Sequence, residues 1–188
     1  MALAAGCGAA PTRGASEAHT DSIIPSRSFS DWLGFANQVS VVAVLSDRRL
    51  PQTPAEKEEG FPARGRELTV DIEDTVWAHP TQEAVAGELA LRGTNGWYEV
   101  GQRYLVALIH HDGWGWAPLS DETSSFLLDD AGRVTANPDA SVNDALVGKT
   151  APEVRDLLVG ESPDPVAAKY AHLDPVSRAE AYLNEKHP

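Results

Sequence analysis

The stretch QVSVVAVL, Gln38 to Leu45, decides how this chain folds. From Val39 to Leu45 the residues are apolar at odd and even positions alike, apart from Ser40, and valine dominates. Successive residues of a strand point to opposite faces, so a strand apolar on both faces must be covered on both. RYLVALIHH (residues 103–111) carries a second such run, Tyr104 to Ile109. Between them, RELTVDIEDTVW (residues 66–77) alternates instead: Leu68, Val70 and Ile72 face inward, and Thr69, Asp71 and Glu73 face outward. The pair Val41 and Val42, and the pair Leu105 and Val106, are therefore expected to be buried on both sides. Inside would be a barrel, and outside a covering layer of helix.

The flanking segments supply that layer. In SFSDWLGFANQ, Phe29, Trp32, Leu33 and Ala36 fall on one face of a short helix, with Ser28 or Ser30 as N-cap. RRLPQTPAEKEEGFPARG holds three prolines and reads as an exposed loop with one helical turn at Ala55–Glu59. GELALRG is a short strand, Asn95-Gly96 a turn pair, DGWGWAPLSD a turn-rich aromatic loop, and SSFLLDDAGRVTAN a hairpin with Gly132 in the left-handed position. Beyond Ala136, Thr150-Ala151-Pro152-Glu153 forms a capping box, and Asp164-Pro165 and Asp174-Pro175 repeat the start signal, so two or three short helices close the chain. Residues 1–27, rich in Gly, Ala, Ser and Thr without hydrophobic periodicity, read as a flexible tail or tether. Residues 28–188 read as a single globular domain, with a barrel core at 28–136 and a helical extension at 137–188.

The chain has 188 residues and a formal net charge of −13, enough length for one core and no basic face for phosphate. Nucleic acid is therefore not an expected partner, and anionic headgroups would repel the chain, leaving a lipid anchor as its one route to a membrane. No apolar run approaches the roughly 18 residues that span a bilayer. The preference for Arg and Ala is that of a GC-rich bacterial genome.

The order of the core is a helix, the strand VVAV, a charged loop, LTVDIEDTVW, a Gly-bounded turn and GQRYLV (Gly101 to Val106). Over about residues 30–135 it resembles the five-stranded OB-like barrel of netrin-type modules and tissue inhibitors of metalloproteinases. It also resembles uncharacterised secreted or lipid-anchored proteins of actinomycetes. The resemblance implies a mainly β (α+β) fold: a five- to six-stranded OB-like β-barrel with a short N-terminal helix and short C-terminal helices. It also implies an alternative function, inhibition of an envelope hydrolase.

The lone cysteine cannot form an internal disulfide. Its context, Leu3-Ala4-Ala5-Gly6-Cys7, resembles a bacterial lipobox, which makes Cys7 the candidate lipidation site. The implied localisation is extracytoplasmic, anchored to the cell membrane by lipid. That expectation requires a signal segment ahead of Met1; otherwise the chain is cytoplasmic and the match is chance in an Ala-rich tail.

Aromatic residues among glycines, Trp114 and Trp116 in GWGWAP with Trp97 and Tyr98 upstream, are the ligand-binding candidates. The competing reading makes them plugs of the barrel. His110-His111-Asp112 closes a strand whose adjacent imidazoles diverge, so His79, His110 and Asp112 form only a weak metal set, and no metal or cofactor is expected. The chain holds no G-x-S-x-G elbow, phosphate-cradling glycine loop or H-E-x-x-H. The expected function is a non-catalytic cell-envelope binding module whose partner is a protein or small ligand. A small metalloprotein or enzyme is the remaining alternative.

Overall fold

The protein is described here by a computed structural model over residues 24–61, 65–82, 84–92, 98–120 and 122–186. The strands are β1 (Gln38–Arg49), β2 (Arg66–Ala78), β3 (Gly87–Arg92), β4 (Arg103–His111), β5 (Gly115–Pro118) and β6 (Ser125–Leu127). In the barrel β1 pairs with β2, β2 with β3, β3 with β5, β5 with β4, and β4 back with β1. Every pairing is antiparallel except β3 with β5, a parallel seam made by the single pair Leu91 and Trp116. Five strands thus close an OB-like barrel, and β6 adds to the free side of β4. The mainly β architecture read from the sequence is the one observed.

The barrel interior holds Val42, Val44, Leu68, Val70, Leu91, Tyr104, Val106 and Leu108. The opposite faces of β1 and β4 carry Val39, Val41, Leu105, Ala107 and Ile109 into a second, larger cluster. There they meet helix α1 (Phe29–Phe35) and the helices after the barrel: α3 (Asn143–Leu146), α4 (Ala151–Gly160), α5 (Pro165–Lys169) and α6 (Pro175–Lys186). Val41 and Val42 are 2% and 0% exposed, and Leu105 and Val106 are 1% and 0%. The helices therefore cover the outer face of a barrel that is already filled from within. Truncating any of these four side chains to Ala is expected to cost about 1–4 kcal/mol, read from urea unfolding midpoints. A near-neutral result at Val41 or Leu105 would show that the helical layer does not seal that face.

Local chemistry sets the helix boundaries as the sequence suggests. Ser28 Oγ accepts from Asp31 N–H at 3.0 Å and the Asp31 carboxylate accepts from Ser28 N–H at 3.0 Å, a reciprocal cap on α1. Trp32, fully buried, anchors this helix by donating its indole N–H to Ser26 O at 2.9 Å. Thr150 and Glu153 cap α4, while Asp164 and Asp174 accept from the first N–H groups of α5 and α6. The proline-rich loop holds one short helix, α2 (Pro54–Glu58).

Three features depart from the sequence reading. Strand β1 runs past Leu45 to Arg49, because its exposed half pairs with β2 as a polar ribbon tied by Asp47 to Arg66 at 2.6 Å. The segment DGWGWAPLSD is not all loop: Gly115–Pro118 is β5, hidden in the sequence by glycines at 113 and 115 that take φ of 79° and 93°. Helix α3 has no side-chain cap and had no sequence signal. The Asn95-Gly96 turn lies outside the described residues. Among those described, no helix is long and apolar enough to cross a membrane.

Candidate functional site

The turn from β4 into β5 builds an aromatic corner. Trp114 N–H donates to His111 O at 3.1 Å, and the left-handed Gly113 and Gly115 on either side fix the reversal. A Cβ at either glycine would meet open space, so the backbone conformation alone demands glycine there. Pairing of β4 with β5 sets His110 opposite Trp116, ring centroids 5.1 Å apart. Trp114 stands edge-on to His111 at 5.7 Å and remains 49% exposed. Burial holds the His111 imidazole below its ordinary value, offset in part by the Asp174 carboxylate.

The parallel seam brings β3 to this corner. Arg92 donates to Trp114 O at 3.4 Å and to Glu67 Oε2 at 3.0 Å, and Glu67 also receives Arg48 at 2.5 Å. These two guanidiniums hold the Glu67 carboxyl below its usual range. An open groove of about 380 Å³ runs between Leu89, Ala90 and Arg92 on one side and Trp114 and Trp116 on the other. An exposed indole and an arginine donor thus line one groove, with the Glu67 carboxylate holding the arginine from behind. That set stacks on a ring and hydrogen-bonds to its substituents. Arg92 escaped the sequence reading because no local pattern reports which strands a parallel seam joins.

The other candidates lie elsewhere. Tyr98 is 3% exposed, packs on Tyr104 at 4.8 Å and shares a 2.6 Å hydrogen bond with Ser125 Oγ. Tyr104 and His110 are six residues apart on β4, about 20 Å, so Tyr98 sits at the far end of the barrel from the tryptophans. Trp97 and Cys7 fall outside the described residues. His110 Nδ1 lies 3.9 Å from the exposed carboxylate of Asp112. His79 is held apart in its own turn, and among the described residues no group of three or more His, Cys, Asp and Glu side chains is placed to hold a metal. Asn37 does link the two strand ends: its carbonyl accepts His79 N–H and its side chain accepts His110 N–H, each at 2.8 Å.

His79 is 7% exposed, and its Nδ1 lies within hydrogen-bond reach of Thr81 N at 3.4 Å and of Thr81 Oγ1 at 3.1 Å. Burial, with the Arg178 cation second, pulls its pKa from 6.5 to about 4. Above pH 6.5 the ring is neutral folded or unfolded. As pH falls toward 4 the unfolded chain binds a proton that the folded chain refuses, so stability declines, by up to about 3 kcal/mol for this group. His79→Gln is expected to flatten the loss of stability between pH 6.5 and 4 in urea titrations. An unchanged slope would mean that another group carries the acid sensitivity.

No protein-family model, curated protein or solved structure matches this chain.

Proposed function

We propose that the protein is a non-catalytic binding module of the cell envelope, receiving an uncharged, ring-bearing ligand such as an envelope glycan in the groove between β3 and β5. The observation that carries this reading is Trp114, half exposed yet held by two left-handed glycines beside Arg92. A large indole left in water on a fixed turn costs solvation, and stacking on a ligand ring recovers it. The net charge of −13 favours a neutral partner over a polyanion. The lipobox-like context of Cys7 and the small-residue tail after it support a tether that would hold the barrel near a membrane.

Two measurements test the two halves of this proposal. Titration of the full chain with envelope oligosaccharides is expected to quench tryptophan emission, and Trp114→Ala to weaken binding on the order of tenfold or more. Equal affinity in the variant removes the groove from the site. The intact mass of protein taken from its native membranes should carry a diacylglyceryl group on Cys7; an unmodified thiol removes the anchor.

A further inference from the structure

The side chains of the groove between β3 and β5 offer hydrogen bonds in one direction only. Among the described residues that line it, Arg92, Trp114 and Trp116 carry the polar side-chain atoms, and all three are donors without an acceptor. Arg92 is pinned at two nitrogens: Nε donates to Glu67 Oε2 at 3.0 Å and Nη1 to Trp114 O at 3.4 Å. Its Nη2 has no partner among the described residues, and the side chain is 43% exposed. A guanidinium fixed in this way presents a rigid donor to whatever enters the groove.

Charge selects a neutral acceptor for that donor. Arg48 and Arg92 flank the Glu67 carboxylate, which leaves one positive charge. Asp112, its side chain 90% exposed just before Gly113, and Glu88, exposed just before Leu89, outweigh it. The net charge of −13 acts in the same direction, so a carboxylate or phosphate would enter against the field. An amide carbonyl accepts from a guanidinium and carries no net charge. Next to the donor lies a small apolar surface. Residues two apart on a strand share a face, which puts the exposed Ala90 beside Arg92. Size fits one ring with one substituent. On the scale by which a dry cavity of about 150 Å³ holds benzene, the groove's 380 Å³ takes about fifteen heavy atoms, one acetamido-hexose.

We propose that the groove selects an N-acetylated amino sugar, an inference that rests on reading it as a glycan site. The sugar ring stacks on Trp114, the acetamido carbonyl accepts from Arg92 Nη2, and the acetyl methyl lies against Ala90.

The test compares two tetrasaccharides of the same linkage by calorimetry on the full chain, one of N-acetylglucosamine and one of glucose. They differ only in carrying an acetamido group or a hydroxyl. The acetylated tetramer is expected to bind on the order of tenfold more tightly, the effect of one hydrogen bond to a charged donor. Arg92→Met, which removes the donors at a part-exposed position, should bring its affinity down to that of the glucose tetramer. NOEs should run from the acetyl methyl to the Ala90 methyl and the Trp114 indole, a measurement on the native chain that decides the matter if Arg92→Met does not fold. Equal affinity for the two tetramers, lost together in Trp114→Ala, overturns the acetamido assignment and leaves the glycan site standing. Binding of neither tetramer overturns both. A preference that survives Arg92→Met, or acetyl NOEs that run to other residues, overturns the proposal as well.

Discussion

A chain ending at Ala136 is expected to lose its cooperative thermal transition, although it keeps every barrel strand. The reason lies in which surface the missing helices cover. Leu146, Val154, Leu158, Ala167 and Ala179 come from α3 to α6, are all essentially buried, and belong to one cluster with Trp32, Phe35, Val39, Val41 and Leu105. Burying a Leu or Val side chain stabilises by about 1.5–3 kcal/mol, so Leu146, Val154 and Leu158 alone contribute about 4.5–9 kcal/mol, against a net domain stability of about 5–15 kcal/mol. Removing them also wets the outer faces of α1, β1 and β4. Arg155 of α4 adds polar ties to the barrel wall, donating to Asp74 at 3.0 Å and Val76 O at 3.2 Å. Circular dichroism melting of the shortened chain should show a broad, early transition with strong binding of a hydrophobic dye. A melting temperature equal to that of the full chain would show that the barrel stands alone and that the helices are an accessory.

The same packing explains what could be read from the residues. Strands apolar on both faces demand two covers, and Val39–Leu45 and Tyr104–Ile109 announced them before any fold was known. The starts of α1, α4, α5 and α6 were equally plain, because a Ser, Thr or Asp cap leaves a short, local pattern. Strand β5 was not plain. It is four residues long, begins at a left-handed glycine, and takes its identity from β4 and from one parallel pair with β3. Such pairing is set by chain closure over long sequence separations, and no local periodicity encodes it. The candidate site shows the same division. Glycines alternating with tryptophans marked Trp114 and Trp116 as unusual, whereas their neighbour Arg92 arrives only through the seam. Tyr98 looked like their companion by sequence proximity to Trp97, but it fills the opposite end of the barrel, because its hydroxyl finds Ser125 and its ring finds Tyr104.

Arg178 is the feature least legible in the sequence and the one whose loss should be felt most at a single position. In VSRAEAYL it reads as one more surface charge of an exposed helix. In the fold it is 0% exposed, and its guanidinium bridges elements that share no backbone pairing: Nη1 donates to Gly34 O of α1, and Nη2 to Leu173 O at 2.9 Å and Ala171 O at 3.2 Å in the turn before α6. Its Nε has no hydrogen-bond partner among the described residues, and burial draws its pKa down while Asp174 opposes that shift. A buried cation held by carbonyl dipoles is a poor source of net stability, yet deleting it strands the acceptors it serves. Arg178→Ala therefore leaves three carbonyls short of a donor and opens a cavity, an expected loss of about 3–5 kcal/mol. Arg178→Met removes the same donors but fills the space and sheds the cost of burying charge, so it should be milder than Ala. Arg178→Lys keeps the charge with a shorter reach and should fall between Ala and the native chain. Urea unfolding at neutral pH gives the order directly. Should Arg178→Ala lie within about 1 kcal/mol of the native protein, water must enter to serve those carbonyls, and the link between α1 and α6 would be solvated rather than sealed.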